Sequence, residues 1–217
     1  MKICILSFLL MASCAVAEEP LPLWRQMQQA VLTRPNVAEA RKILDAGFDP
    51  NGSIGCGDWP AILGAVQLRD VEMTRLLLEK GAKVPDQAML MACGTSDMEL
   101  TLIKLLVEHG GNVNAKNGSY SSCMHTATYH KNGELVKFLS KVKGIDLNVV
   151  CHDGDCDGTP LMWALRIGAT DLAHTLVEAG TNMDIRGKTG ATAATIVSDR
   201  LRAYEVLRGV IASKGAR

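Results

Sequence analysis

The nine residues "DGTPLMWAL", Asp157 to Leu165, combine a turn signal with a helix start. Asp157-Gly158 is a turn-forming pair, Thr159 can cap a helix, and Pro160 fits the first helical turn. The apolar residues that follow predict a buried helix. Such a stretch could begin any buried helix, so its meaning depends on whether the chain repeats it.

A helix-ending glycine does recur along the chain at a nearly constant spacing. The segment "LVEAGTNMD", residues 176–184, has four relatives earlier in the chain, and consecutive glycines are 34, 29, 34 and 36 residues apart. Glycine ends helices readily because it adopts the left-handed conformation without a Cβ penalty. A period of this length is typical of a helical solenoid. The predicted helix-ending residues are Gly47, Gly81, Gly110, Gly144 and Gly180.

These features resemble the ankyrin repeat, in which a Thr-Pro-Leu-His-x-Ala helix start is followed by a second helix and a closing glycine. Residues 159–164, "TPLMWA", match four of the five specified positions. Residues 122–127, "SCMHTA", keep the His and the Ala, whereas residues 60–65 and 87–92 keep mainly the Ala. The resemblance covers residues 24–211. It implies an all-α ankyrin-repeat solenoid of five to six helix-turn-helix repeats, with short β-hairpin fingers between them.

The first 17 residues have the features of a secretory signal peptide. Lys2 precedes an apolar run too short to span a membrane, and Ala15-Val16-Ala17 forms a small-x-small cleavage site. The alternative is a lipoprotein signal in which Cys14 becomes the lipidated first residue. We therefore expect an exported protein, and the short leader favours the bacterial periplasm.

The predicted domain organisation is a signal peptide at 1–17 and an ankyrin-repeat domain at 18–217. The composition agrees with closely packed helix pairs, since 47% of the residues are hydrophobic but only 4% are aromatic. The predicted repeats span 24–51, 52–84, 85–115, 116–149 and 150–184, with a capping repeat at 185–211.

The charge balance argues against general nucleic-acid binding. The full chain has 23 basic and 23 acidic residues, and removal of Lys2 with the leader leaves 22 basic residues against 23. Binding to a phosphate backbone requires a basic face. We expect the partner to be another protein.

Export would place five cysteines in a compartment where disulfides persist. We predict a bond between Cys151 and Cys156 across one finger, with Cys123 as the rival partner of Cys156, and we interpret Cys93 as a core residue. Because five is odd, at least one thiol stays unbonded or bonds to another molecule. The five cysteines are Cys56, Cys93, Cys123, Cys151 and Cys156.

The same finger carries two patterns that suggest metals. Residues 153–158, "DGDCDG", copy the first half of a calcium loop, but Ala164 stands where the loop requires a bidentate Glu. The cysteines and histidine of residues 151–156 lack zinc-finger spacing. We therefore favour an ordinary hairpin and predict no metal and no cofactor.

No motif predicts catalysis. His125 occupies the histidine of the repeat signature, where the resemblance implies hydrogen bonds between the helix start and a finger. The run "GKTGAT", residues 187–192, lacks the glycine spacing of a nucleotide-binding loop and is interpreted as the last finger. We therefore predict no catalytic residues and a non-enzymatic protein.

The connections between repeats are unequal in length. From each closing glycine to the next helix start there are 13, 6, 12, 15 and 12 residues. The second connection, Gly81 to Gln87, is too short for a finger, and Pro85 withholds a strand hydrogen bond. The fourth is the longest. We expect a row of fingers with a gap and, further along, an enlarged finger.

The resemblance implies that a partner binds the concave face, which consists of the fingers and the exposed C-terminal ends of the first helices. Trp59 and Tyr129 lie in the repeats on either side of the truncated finger and are the expected anchors, since large aromatic side chains often dominate interfaces. Trp163 is interpreted as a core residue. The predicted partner-binding residues are Trp59, Gln67, Tyr120, Tyr129, His130, Asp155, Arg166 and Ile167.

The sequence thus favours a non-enzymatic protein-protein interaction module in the bacterial periplasm. Resemblance to exported bacterial ankyrin proteins implies a protective role, either support of an oxidative-stress enzyme such as a catalase or immunity to a toxic effector. One alternative is a small-ligand protein that handles metal or haem through Cys and His. Another is an envelope scaffold anchored by lipid at Cys14.

Overall fold

The computed structural model describes residues 21–55, 57–94, 100–116, 122–153 and 156–215, and its helices follow one another in pairs. In the first pair, α1 (Leu23–Gln28) continues into a π-helical segment (Gln29–Thr33) before α2 (Val37–Asp45). The next pairs are α3 (Ala61–Gln67) with α4 (Val71–Glu79), α5 (Asp86–Cys93) with α6 (Leu100–Glu108), α7 (Cys123–Tyr129) with α8 (Gly133–Leu139), and α9 (Pro160–Arg166) with α10 (Thr170–Glu178). The long helix α11 (Ala193–Gly215) follows the last pair.

The helix starts have local causes in the sequence. The side chains of Asn36, Asp70 and Asn132 cap second helices, each accepting a hydrogen bond of 2.9 to 3.0 Å from the backbone N–H three residues later. Thr159 caps α9 by accepting from the N–H of Met162 at 3.3 Å, and Pro160 is the first helical residue, as predicted. Side-chain caps thus define where several of the helices begin.

The closing glycines have the predicted backbone conformation. Each follows the second helix of a pair and has a positive φ, between 82° and 99°. An L side chain adopts such angles only with strain. The prediction is confirmed for Gly47, Gly81, Gly110, Gly144 and Gly180.

One continuous apolar core runs through the stacked pairs. The signature alanines Ala65, Ala127 and Ala164 are completely buried, which allows neighbouring first helices to approach closely. Leucines of the second helices, such as Leu77 and Leu106, are equally buried. The prediction of an all-α repeat solenoid is confirmed.

The fingers are short. In the longest, strands β1 (Cys151–Asp153) and β2 (Cys156–Gly158) pair antiparallel. Two other fingers contain single bridges, Ser53 with Pro60 and Lys116 with Ser122. Residues 82–85, all of them described, lead from Gly81 directly into α5 without a bridge. The truncated finger is therefore confirmed, with a helix start one residue before the predicted Gln87.

The disulfide of the described residues was not predicted. Cys93, the last residue of α5, is bonded to Cys123, the first residue of α7, with a Cα–Cα distance of 5.2 Å. Cys93 is buried, as expected of a core residue, but it is also half of a bond between neighbouring repeats. Cys123, proposed as a rival partner of Cys156, bonds to Cys93 instead.

The hairpin register gives the relative positions of the two cysteines in the predicted Cys151–Cys156 bond. Cys151 lies opposite Gly158, and Cys156 lies opposite Asp153. The two cysteines are therefore diagonal neighbours, whose Cα atoms are about 7–8 Å apart in a typical antiparallel pair. A disulfide usually requires about 4.4–6.8 Å between the Cα atoms. Cys151 is buried, and its bond with Cys156 stays a prediction.

Helix α11 closes the described part of the stack. The guanidinium of Arg200 donates to the carbonyl oxygens of Leu165 and Arg166 at the end of α9, the second at 3.3 Å. The residues predicted as a capping repeat thus contribute one long helix that packs on α9. None of the described helices is both long enough and apolar enough to cross a membrane.

Candidate protein-binding face

Two aromatic side chains from neighbouring repeats stack on each other. Tyr129 is the last residue of α7, and Trp163 lies in the middle of α9. Their ring centroids are 5.6 Å apart with an angle of 26° between the planes. Tyr129 is 59% exposed, and Trp163 is partly buried beneath it. We call Tyr129 and Trp163 the aromatic pair.

Helical spacing explains why Trp163 lies on this face. In α9, Leu161, Met162 and Ala164 are buried in the stack, whereas Trp163 and Arg166 are only partly buried. Residues three apart share one side of a helix. The interpretation of Trp163 as a core residue is therefore wrong, because its ring packs against Tyr129 at the edge of the stack.

The indole nitrogen of Trp163 is a buried donor that no acceptor meets. Among the described residues, Nε1 is the one buried side-chain nitrogen or oxygen without a hydrogen-bond partner. A buried unsatisfied donor typically costs about 1–3 kcal/mol.

His130 also contacts the ring of Tyr129. The two rings meet edge to face, with centroids 5.0 Å apart and an angle of 89° between the planes. Tyr129 thus contacts the rings of both Trp163 and His130 although most of its surface is exposed. A side chain ordered in advance loses little conformational freedom when a partner covers it.

Arg166, one turn along α9 from Trp163, fastens the enlarged finger. Its guanidinium donates to the carbonyl oxygen of Asp157, and its Nη2 lies 3.5 Å from Oδ2 of the same residue. The Asp157 carboxylate also accepts from the Thr189 hydroxyl at 2.8 Å and from the backbone N–H groups of Lys188 and Thr189. These contacts tie the finger to the turn at residues 187–190.

Asp157 is held as a carboxylate by this arrangement. Burial by itself raises the pKa of the Asp157 carboxyl, but the hydrogen bonds from Thr189 and Lys188 and the charge of Arg166 together bring the pKa below its ordinary value. The carboxylate that would belong to a calcium loop is thus already engaged by neighbouring groups. Its position favours the hairpin interpretation of the finger.

Comparison with known proteins identifies the family. A family model described as ankyrin repeats (3 copies) matches residues 62–151 and 89–189, together more than half of the chain. The chain belongs to the ankyrin-repeat family. Ankyrin repeats mediate contacts between proteins, so this ankyrin-repeat protein is a protein-protein interaction module.

Solved ankyrin structures have the same fold. An ankyrin repeat domain from Acinetobacter baumannii AYE has a TM-score of 0.70 and 20% identity, over 82% of this chain and 92% of that one. The ankyrin repeat domain of Bcl-3, a member of the IkappaB protein family, has a TM-score of 0.67 and 19% identity, over 81% and 80% of the two chains. At this level of identity the likeness concerns the fold.

One curated relative is an enzyme. Glycerophosphocholine phosphodiesterase gde1 of Schizosaccharomyces pombe is 28% identical over 130 residues, which is 59% of this chain and 11% of that protein. The chain thus spans about a ninth of the length of this relative. The ankyrin fold itself is typically non-enzymatic.

The signature histidine of the ankyrin repeat has the structural role that the resemblance implied. Nε2 of His125 lies 3.1 Å from the carbonyl oxygen of Gly158 in the next finger, and Nδ1 lies 3.4 Å from the backbone nitrogen of Ser122. Burial lowers the pKa of the imidazole, and the hydrogen bond to Gly158 only partly opposes this effect. A neutral ring with Nε2 protonated and donating to Gly158 satisfies both contacts.

The remaining predicted residues do not all join the aromatic pair. Gln67 is exposed at the end of α3, and Ile167 is partly buried just after α9. Trp59 is partly buried and packs against the core, and its carbonyl accepts from the N–H of Ile54 at 2.9 Å. Tyr120 and Asp155 lie outside the described residues. The partner-binding roles of Trp59 and Tyr129 stay predictions.

The described residues were also compared with the ligand clusters that metal ions require. No cluster of three or more His, Cys, Asp or Glu side chains is found among them. The side chains of residues 152–156, which suggested calcium or zinc sites in the sequence, lie outside the part of the chain that the structure describes. The sequence did not lead us to place Trp163 beside Tyr129. Trp163 stands at the variable position of the ankyrin signature, and this position was a usable signal that its side chain is not part of the core.

Proposed function

We propose that the chain binds a partner protein through the face formed by the aromatic pair, His130 and Arg166. The observation that carries the proposal is Tyr129, which is 59% exposed yet contacts two other rings. Exposed, ordered aromatic side chains and nearby arginines are frequent anchors of interfaces. A small rotation of Tyr129 would also offer the unsatisfied Nε1 of Trp163 to an acceptor of the partner.

We extend the proposal to the cellular location of the protein and to its biological role. The chain acts as a non-enzymatic binding module in the bacterial periplasm, and it protects the cell by supporting an oxidative-stress enzyme or by neutralising a toxic effector. The signal-like residues 1–17, which lie outside the described part, support export. The Cys93–Cys123 disulfide supports it too, because such bonds persist in oxidising compartments.

The alternative of metal or haem handling has less support. Cys93 and Cys123 are bonded to each other, and His125 is occupied by contacts with Gly158 and Ser122. These groups would have to leave their partners before binding a metal. The aromatic pair requires no such rearrangement, so protein binding is the better proposal.

Site-specific photo-crosslinking tests the binding face. A photoreactive phenylalanine derivative replaces Tyr129 in the full chain, produced in its bacterial host, and replaces Val177 in a control. Val177 is 44% exposed on the second helix α10, so it is a matched apolar position away from the first helices. We expect a covalent partner protein, identified by mass spectrometry, from position 129 only. Equal products from both positions would contradict the proposal.

Cell fractionation tests the location. Export with cleavage predicts a soluble periplasmic protein whose first residue is Glu18, and this location should be lost when residues 1–17 are deleted. A lipidated protein would instead begin at Cys14 and fractionate with membranes, and a Cys14→Ser variant would release it. Recovery of the unprocessed chain in the cytoplasm would overturn the proposed location.

A further inference from the structure

Asparagine side chains fasten successive repeats to one another. Asn51 accepts from the N–H of Lys83 at 2.8 Å and donates to the carbonyl of Gly81 at 3.2 Å. Asn114 repeats this pattern two connections later, accepting from the N–H of Asp146 and donating to the carbonyl of Gly144, both at 2.8 Å.

A third asparagine continues the series. Asn148 accepts from the N–H of Asn182 at 2.8 Å. All three asparagines stand four residues after a closing glycine. We call each of these connections a rung.

One rung is missing. Four residues after Gly81 the chain has Pro85, whose side chain can neither donate nor accept a hydrogen bond. This is also the position of the truncated finger. When each turn is assigned to the helix pair that follows it, the missing rung and finger both belong to the interface between the α5–α6 and α7–α8 repeats. The exposed side chains of Asp86 and Asn112 still connect the two turns. The amide nitrogen of Asn112 donates to the carboxylate oxygens of Asp86 at 3.1 and 3.3 Å.

The disulfide crosses this same interface. Cys93 ends α5 and Cys123 begins α7, and each side chain is only 1% exposed. The Cys123 sulfur also lies 3.6 Å from the carbonyl oxygen of Met89 in α5. A covalent bond is therefore present at the interface where the asparagine rung is absent.

We infer that the disulfide replaces the missing rung, so that coupling between the two halves of the stack depends on oxidation of Cys93 and Cys123. In a repeat protein each repeat contacts only its neighbours, so cooperative unfolding requires strong coupling at every interface. The halves are residues 21–108 and residues 110–215. This inference does not rest on the proposed binding face.

The chemistry of the change is ordinary thiol–disulfide exchange. A dithiol reductant attacks one sulfur, the S–S bond takes up two electrons and two protons, and two cysteine thiols result while the reductant forms its own disulfide. Because both sulfurs are buried, the reductant reaches them when the interface opens. In a reducing compartment the chain should behave as two weakly coupled halves.

Peptide-resolved hydrogen exchange across a urea series tests the inference. In the oxidised protein we expect both halves to lose protection at one shared urea midpoint. In the Cys93→Ala/Cys123→Ala variant we expect two separate midpoints, one for each half. Treatment of the unsubstituted protein with dithiothreitol makes the same comparison without any substitution and should give the same separation.

Two further variants sharpen the test. Cys151→Ala removes another buried sulfur and should keep a single shared midpoint. Pro85→Asn, added to the double alanine variant, offers a new rung and should bring the two midpoints closer together. The inference is overturned if both halves of the double variant and of the reduced protein unfold at one common midpoint, or if the oxidised protein already shows two.

Discussion

At the scale of single residues, three equivalent turns share a positive φ but differ in the residue that adopts it. The turn between the paired helices contains Gly168, Lys131 or Arg69, with φ of 70°, 55° and 56°. Glycine adopts this region freely, whereas a residue with a Cβ is strained there by about 1–2 kcal/mol. Lys131 and Arg69 therefore hold a conformation that suits glycine better.

Replacing Lys131 by glycine should stabilise the protein. We expect Lys131→Gly to raise the free energy of unfolding by about 0.5–1 kcal/mol, because relief of the strain exceeds the added chain entropy of glycine. Urea unfolding measures the change. Lys137→Gly, in the middle of α8, is the control and should destabilise by about 1 kcal/mol. If Lys131→Gly destabilised as much as the control, the strain would be absent.

His125 should make stability depend on pH. Its folded pKa lies below the unfolded value of about 6.5, so the unfolded chain binds the proton more readily. Stability is therefore complete above pH 6.5 and decreases as the pH falls from there through the folded pKa. We expect His125→Gln to flatten this decrease between pH 7 and pH 5 in urea unfolding. The control His174→Gln, at an exposed position, should keep the pH-dependent decrease in stability. Identical pH profiles for the unsubstituted protein and both variants would refute the assignment of this decrease to His125.

The sequence predicted Tyr129 as an exposed anchor but not the ring that supports it. Trp163 stands in an apolar helix, and its hydrophobicity suggested the core. Its real neighbour belongs to the repeat before it, at a distance of 34 residues in the sequence. Such a contact depends on how two repeats stack, which composition and local spacing do not specify. Trp59 packs against the core, and its role as an anchor stays a prediction.

At the scale of elements, Asp157 joins the enlarged finger to the turn at residues 187–190. Asp157→Asn removes the charge that Thr189, Lys188 and Arg166 stabilise, and we expect the free energy of unfolding at pH 7 to fall by about 1 kcal/mol. Because the folded pKa of Asp157 is lowered, this contribution is present above about pH 4 and is lost as the pH falls through the folded value. Thermal unfolding at pH 7 measures it. Asp171→Asn, at an exposed helix start, is the control, and an equal loss there would contradict a specific role of Asp157.

Element boundaries were predictable where one residue type determines the backbone. The five closing glycines marked helix ends, and counting residues between them revealed the truncated finger. The cysteine pairing was not predictable in this way, because it depends on which helix ends face each other across an interface. The local Cys151–Cys156 bond that the hairpin suggested stays a prediction.

At the scale of the whole molecule, the proposed binding face depends on the stacking of repeats. Tyr129 comes from one repeat and Trp163 from the next, so neither repeat alone could hold the exposed ring in place. The family resemblance predicted the solenoid and its concave face. The partner itself depends on side chains that differ among ankyrin proteins, so the fold does not reveal it.

The affinity of the crosslinked partner for defined variants tests this claim most directly. We expect Tyr129→Ala to weaken binding by about 1–3 kcal/mol, measured as Kd by titration calorimetry, because truncation removes an ordered anchor. Val177→Ala, on the opposite helix layer, should bind like the unsubstituted protein, and both variants should keep its thermal midpoint. Unchanged affinity of Tyr129→Ala, or a loss fully explained by unfolding, would contradict the account.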